Sequence, residues 1–370
     1  MAVRFLHTGD LHLGSALAGM PAAKARLWRA RALEAVRTLL FEAREKGASL
    51  LLFAGDVFDT PTPDLALARD FFAILAEVGL PAVIAPGNHD YVGCGGVYEQ
   101  GLLPQNVTVF QNEGISALPF SAPGVTVYGY AFRGEAHGAP ILPAKHELAR
   151  DTVNVLLAHA VLGAPASPYA PLTGTALAGA GFDYAALGHV HLPPAPRRFG
   201  NTIAAYCGFF AGRGFDETGI GSANLVTVDG ARIEILPLQS TAYPFHALDV
   251  DCTGAASCED VRRTVKAALE EANFASTTAL RVTLTGEVGA DCTVSPHALA
   301  RLGDAYALFE IKDATLPLLD RAVLLTEPSL RGAFYRAMLP RLESTDEATR
   351  QLAGEALRMG LAALAGREVL

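Results

Sequence analysis

The chain has 370 residues, 51% apolar and 18% charged, so it can bury a substantial core and is not an intrinsically disordered chain. No apolar run approaches the roughly 18 residues of a membrane span, and no basic-then-apolar leader opens the N-terminus. The five scattered cysteines form no C-x-x-C pair, which speaks against a disulfide framework or a cysteine zinc site. A cytoplasmic chain of two or three domains is expected, and a net charge of −9 argues against gripping nucleic acid by bulk charge.

In chain order, residues 3–7 read as a strand that stops at Thr8-Gly9-Asp10. Apolar positions from Leu27 to Ala43 recur at helical spacing over 22–46, and Gly47 closes that helix. Residues 49–54 form a buried strand ending at Gly55-Asp56. Thr62 with Pro63 is expected to start a second helix running to about Glu77. A third strand, 81–85, ends at Gly87-Asn88-His89-Asp90. Strand, motif and helix thus recur, each motif lying just past a strand's C-terminal end, where open α/β sheets place ligands.

Beyond residue 105 the pattern turns β-rich, with strands expected at 107–110, 125–132, 153–158, 183–187, 203–206, 223–228 and 231–236. Asp229-Gly230 signals a type I′ hairpin between the last two. Residues 161–180 read as a long Gly/Ala/Pro-rich loop. Two of these strands again end in histidine segments, Ala158-His159 and Gly188-His189-Val190-His191. Past residue 245 the motifs cease. A strand at 245–250, a helix over 257–273 opened by Ser257 and Asp260, and a strand at 279–285 form a β-α-β unit. A helix at 296–303 and a strand at 305–311 complete a small α+β domain. A helical tail follows from about 328, with its last helix starting at Ser344 and Glu347.

Five strand-end segments hold half of the ten histidines: Asp10-Leu11-His12, Gly55-Asp56, Gly87-Asn88-His89-Asp90, His159, and Gly188-His189-Val190-His191. Each alone reads as a turn Asp or a partly buried His. Together they supply imidazole and carboxylate for two divalent cations, a mixture that suits manganese, iron or zinc better than magnesium or calcium. Two adjacent cations repel, so a carboxylate must lie between them. Metal coordination lowers the pKa of bound water and so supplies a nucleophile at neutral pH. Glycine before Asp56, Asn88 and His189 lets the backbone turn where strand becomes loop.

The order D-x-H, GD, GNHD, H, GHVH resembles the calcineurin-like metallophosphoesterases over roughly residues 3–240. The resemblance implies a four-layer α/β/β/α sandwich. It also implies that Asp10, His12, Asp56 and His191 bind one cation, and Asp56, Asn88, His159 and His189 the other. His89 would then face the scissile phosphate as general acid or charge stabiliser, oriented by Asp90. The opening run His7, Asp10, His12, Leu13, Gly14, with LLFAGDVFD and APGNHDY, resembles the SbcD-type DNA double-strand-break repair nucleases, particularly their YhaO-like branch. Some of these carry His where this chain has Asp59.

That group implies a manganese-dependent exonuclease or endonuclease subunit acting on DNA, with residues 1–245 as nuclease domain and 246–327 as α+β cap. The helical tail, 328–370, would dock on an SbcC-like coiled-coil ATPase through Leu352, Leu357, Leu361 and Leu364, unless that stripe packs against its own domain. Dimerisation through the catalytic domain is also implied. On the cap helix, Arg262, Arg263 and Lys266 either touch phosphates or form a solvated face. A small-molecule phosphodiesterase and a mainly structural subunit of an ATPase complex are the competing readings. The charge splits into 16 basic against 20 acidic residues up to 245 and 13 against 18 beyond, so no acidic tail carries it. Two divalent cations would offset the carboxylates of the site, and the acidity then does not exclude a nucleic-acid substrate.

Overall fold

Near-continuous apolar runs, buried on both faces, build the central strands of the first part of the molecule. The structure, a computed structural model, describes residues 2–364 except 18, 94, 143–146, 290, 291, 293 and 319. Contacts divide the chain into two units, Met1–Phe245 and His246–Leu370. The first unit begins β1 (Val3–Thr8), α1 (Ala22–Glu45), β2 (Leu50–Phe53), α2 (Leu65–Val78), β3 (Ala82–Ile84) and β4 (Val107–Val109). It continues through β5 (Ser116–Phe120), β6 (Val125–Gly129), β7 (Val153–His159), β8 (Val161–Leu162), β9 (Pro171–Leu172), α3 (Gly174–Ala180) and β10 (Tyr184–Gly188). It closes with β11 (Arg197–Phe199), β12 (Thr202–Tyr206), β13 (Ser222–Asp229) and β14 (Arg232–Gln239).

These strands form two six-stranded sheets, ordered β14-β13-β1-β2-β3-β4 and β11-β12-β10-β7-β6-β5. In the first, β1 to β4 run parallel and β13 and β14 are antiparallel. In the second, β6, β7, β10 and β12 run parallel between antiparallel edges. In the second sheet Val125, Val127, Val155, Leu157, Tyr184, Ala186 and Ala205 point one way, into the core they share with the first sheet and helices α1 and α2. Their neighbours Tyr128, Leu156, Ala158, Ala185, Leu187 and Ala204 point the other way, against Leu177 and Ala180 of α3. Successive side chains on a strand face opposite sides, so one strand serves two cores. The result is a helix–sheet–sheet–helix sandwich, the four-layer α/β/β/α arrangement expected.

Local details differ from the sequence reading. Helix α2 is capped by Asp64, not Thr62: the Asp64 carboxylate accepts from Ala66 N–H at 2.8 Å and Leu67 N–H at 3.2 Å. A short carboxylate directly before the first turn reaches those orphan donors, and Pro63 falls just outside the helix. The expected loop 161–180 contains β8, β9 and α3, the last capped by Thr173. Strand β5 was not expected; its five residues show little buried surface and no clean alternation. The hairpin loop is Gly230-Ala231, since Asp229 pairs with Arg232, and only Gly230 has positive φ, which fits type II′ rather than type I′.

The second unit begins with β15 (Phe245–Asp251), α4 (Cys258–Ala272), β16 (Ala279–Thr285), β17 (Glu287–Val288), α5 (Pro296–Leu299), β18 (Leu308–Asp313) and β19 (Leu316–Pro317). It ends in α6 (Arg321–Thr326), α7 (Leu330–Leu342) and α8 (Glu347–Leu364). The order β15-β16-β18 makes a three-stranded sheet whose core takes Val261, Val265 and Leu269 from α4. Ser257 and Asp260 form the expected capping box. Near α8, Asp346 rather than Ser344 accepts from Thr349 N–H, at 2.9 Å. The apolar stripe of α8 divides: Leu357 and Leu361 are buried with Leu324 and Tyr335, whereas Leu352, Met359 and Leu364 are exposed. No helix among the described residues is long and apolar enough to cross a membrane.

Candidate metal centre

Every ligand-bearing segment follows the C-terminal end of a parallel strand: Asp10 and His12 after β1, Asp56 after β2, Asn88 and His89 after β3, His159 at the end of β7, His189 and His191 after β10. Because the parallel strands of each sheet share a direction, these ends gather along one rim. The turns there are tight. Asp10, His12, Asp56 and His189 all have positive φ, a region costing roughly 1–3 kcal/mol per non-glycine residue and concentrated at functional sites. Gly55 shares that conformation, as a sharp turn requires. Gly87 and Gly188 serve a different need, close approach. A Cβ on Gly87 would lie 2.2 Å from Asp56 Oδ1, and one on Gly188 would lie 2.0 Å from the Ala54 oxygen.

Seven residues singled out in the sequence converge. His12 Nε2 lies 3.2 Å from His191 Nε2 and 3.6 Å from Asp56 Oδ2, and His191 Nε2 lies 3.8 Å from Asp10 Oδ1. On the other side, His159 Nε2 lies 3.3 Å from Asp56 Oδ2, 2.9 Å from Asn88 Oδ1 and 3.1 Å from His189 Nδ1. Asp56 belongs to both groups. Asp10, His12 and His191 could together hold one ion, as could Asp10, Asp56 and His159.

The donor set fits cations. His159 Nδ1 sits 2.9 Å from the Ala54 carbonyl, which only accepts, so that nitrogen carries the proton. His12 Nδ1 pairs with Asp59 Oδ1 at 2.9 Å and His191 Nδ1 with Glu217 Oε1 at 2.6 Å. With Nδ1 so occupied, a neutral ring at any of the three positions would point its Nε2 lone pair inward, toward other lone pairs and carboxylate oxygens. Such crowding of acceptors is unfavourable unless a proton or a metal ion sits among them. Burial opposes ionisation of Asp56, but His159 and His12 outweigh it and hold the carboxyl well below its usual range. Burial likewise opposes charging His159, and Asp56 and Asp10 overcome it, raising the ring to about 9. Burial raises Asp10. Burial, then the charge of His159, lowers His189 to about 4.

The roles expected for the GNHD loop change in one respect. Asp90 does not orient the His89 ring. Its buried carboxylate accepts from the N–H groups of Asp56, Val57 and Gly87 at 3.1, 2.8 and 2.8 Å and from the Tyr98 hydroxyl at 2.6 Å. With Phe58 N–H at 3.3 Å the carboxylate holds five donors, so it fastens the Asp56 loop to the Asn88 loop. The His89 ring turns instead to Asp59, its Nδ1 3.2 Å from that backbone oxygen and 3.9 Å from the carboxylate. The ring is 43% exposed at the edge of the cluster, and the His89 backbone N–H donates to Asp56 Oδ1 at 2.9 Å. His7, part of the opening run, is not in the site. It is fully buried, bonded to Tyr184 Oη and the Leu187 oxygen.

Sequence reasoning missed Arg213, Glu217, Cys207 and Tyr169. Arg213 and Glu217 form an ion pair at 2.6 Å beside His191. Cys207 Sγ lies 3.6 Å from Asp10 Oδ2, and the Tyr169 ring packs 4.8 Å from that of His189. The strand-end rule, extended to the strand at 203–206, points to the segment after it, Cys207 to Glu217. In the second unit, Arg262, Arg263 and Lys266 pair with Glu259, Asp260 and Glu270 of their own helix, so the solvated face describes them. His146 and Cys94 lie outside the described residues.

Two sheets back to back gather imidazoles and carboxylates at their strand ends, an arrangement that can hold divalent cations. The chain belongs to the calcineurin-like phosphoesterase family, whose model matches residues 3–193. It is 27% identical over 199 residues to the uncharacterized metallophosphoesterase YhaO of Bacillus subtilis, covering 50% of this chain and 48% of that protein. It is 26% identical over 222 residues to the DNA double-strand break repair protein Mre11 of Methanopyrus kandleri, covering 56% and 48%. The matched region is about half the length of either relative. The solved structure of TT1561 from Thermus thermophilus superposes with a TM-score of 0.38 at 13% identity, over 64% of this chain and 99% of that one.

Proposed function

We propose that this protein is a manganese-dependent nuclease of the SbcD/YhaO type, hydrolysing phosphodiester bonds of DNA in the cytoplasm. The observation that carries the reading is the pair of ligand groups that share Asp56 beside a partly exposed His89. Kinship to a protein named for double-strand break repair directs the choice of substrate. Asp10, His12, Asp56 and His191 would hold one cation, and Asp56, Asn88, His159 and His189 the other. Imidazole with carboxylate favours manganese, with iron or zinc as the nearest substitutes. The bound pair supplies charge neutralisation at the phosphate and a nucleophile from water at neutral pH.

The chain's own residues do the remainder. Asp56 keeps the two positions close, and Asp90 holds the loops that carry Asp56 and Asn88 in register. His89, fixed through Nδ1 to the Asp59 backbone oxygen and partly exposed, would stabilise charge on the phosphoryl group or protonate the leaving sugar oxygen. In this reading residues 246–327 are a capping domain that governs access of DNA. The tail, 328–370, offers Leu352, Met359 and Leu364 to an SbcC-like coiled-coil ATPase, and the catalytic unit forms a homodimer. The test is hydrolysis of linear duplex and single-stranded DNA with Mn²⁺, compared with bis(p-nitrophenyl) phosphate. DNA cleavage lost on chelation supports the reading. Turnover of the small ester with no DNA cleaved, alone or with the ATPase, would replace it by a small-molecule phosphodiesterase.

A further inference from the structure

Resting on the two-cation reading, we infer that Arg213 is a positioning residue that clamps one cation position and leaves the other untouched. It thereby makes the two positions unequal. Both imidazoles of the His12/His191 position are backed by carboxylates: Asp59 Oδ1 at 2.9 Å from His12 Nδ1, and Glu217 Oε1 at 2.6 Å from His191 Nδ1. Those carboxylates come from distant parts of the chain, and one guanidinium joins them. Arg213 Nη1 lies 3.4 Å from Asp59 Oδ1, while Nη2 and Nε lie 2.6 and 3.0 Å from Glu217 Oε1. Its Nη2 also comes within 3.0 Å of His191 Nδ1, but its closer partner is the carboxylate oxygen that ring nitrogen shares. The Arg213 backbone N–H donates to Glu217 Oε2 at 2.9 Å, closing the turn.

This is a carboxylate–arginine–carboxylate bridge over two imidazoles. A carboxylate behind a ligating imidazole fixes its tautomer and raises its basicity, so it strengthens metal binding. A planar guanidinium with several fixed donors can hold two carboxylates at once, which an ammonium does less well. The His159 side of the centre is built differently: that ring is backed by the neutral Ala54 carbonyl. The asymmetry also gives Asp59 a purpose. Its carboxylate is the group that pairs with both His12 and Arg213.

The experiment is Mn²⁺ titration of the full chain by calorimetry, with electron paramagnetic resonance to separate isolated ions from spin-coupled pairs. Wild type is expected to bind two ions, one more tightly. Arg213→Gln and Glu217→Gln should each weaken the tight position about 10- to 100-fold and the other less than twofold. The coupled spectrum should give way to that of an isolated ion, and Arg213→Lys should recover part of the loss. His189→Ala, which retains only the clamped position, should bind one ion, and adding Arg213→Gln should weaken that binding by the same factor, about 10- to 100-fold. Circular dichroism confirms that each variant is folded. Arg213→Gln binding both ions with wild-type affinity, or weakening both equally, overturns the clamp. Failure of wild type to bind a second ion overturns the two-cation reading instead.

Discussion

Charged groups behave in opposite ways in the two units. In the first, Asp10, Asp56, Asp90 and His159 are all but inaccessible to solvent; burial raises Asp10 and Asp90, while charged neighbours overcome burial to lower Asp56 and raise His159. In the second, Arg262, Arg263 and Lys266 stand in solvent and pair with residues three or four positions away on one helix. Exposed pairs of that kind are screened and contribute little. Buried charges persist only where partners or ligands hold them, so their concentration at one rim marks where the chemistry is.

The contrast can be broken or sharpened by mutation. Asp56→Asn strikes the residue common to both ligand groups, and each lost cation removes several kcal/mol of charge stabilisation. Phosphodiester turnover should fall by more than about 10⁴-fold, with metal content reduced, as read by steady-state assay and elemental analysis. His89→Ala should lower turnover about 10²- to 10⁴-fold while two ions stay bound. Retained activity would remove His89 from the chemistry.

Burial should also govern the second unit. Leu357→Ala deletes a 4% exposed side chain from the packing of α7 and α8 and should cost about 2–5 kcal/mol in denaturant unfolding. Leu352→Ala, 69% exposed on the same helix, should leave stability unchanged. If instead it abolishes binding of the ATPase partner, the outer half of the stripe is the docking face.

A smaller effect concerns acid. Burial lowers His7 to about 3, against 6.5 in the unfolded chain. Between these values the unfolded state binds the extra proton, so His7 makes the fold progressively less stable as pH falls from 6.5 toward 3. His7→Gln should flatten that part of a stability–pH curve; an unchanged slope would refute the assignment. Smallest of all, Arg262→Ala with Arg263→Ala should alter neither melting temperature nor DNA affinity. A clear loss of affinity would return these side chains to the phosphate.

Much of the centre was legible because a strand end is a local event. An apolar run that ends in a polar motif marks the strand and the side chain at its end, and Asp10, His12, Asp56, Asn88, His159, His189 and His191 all lie at such ends. Which of them would share a cation came from the family resemblance. The role of Asp90 was not legible. Its neighbour in sequence is His89, but its partners are N–H groups of residues 56–58 and 87 and the hydroxyl of Tyr98. Residues 161–180 misled for a related reason, since small residues such as Gly and Ala carry little period while α3 is held by its Thr173 cap and the β-sheet beneath it.

The sequence by itself determined the chain order of the candidate ligands, the apolar runs that become central strands, and the chemistry available at their ends. Only the tertiary structure decided which groups face one another. Asp59 and Glu217, far apart in the chain, meet through Arg213, and Asp90 turns from the ring beside it to the loop carrying Asp56. Such pairings depend on which strands lie adjacent and how closely their loops approach. Those are properties of packing between distant segments, and no local period records them.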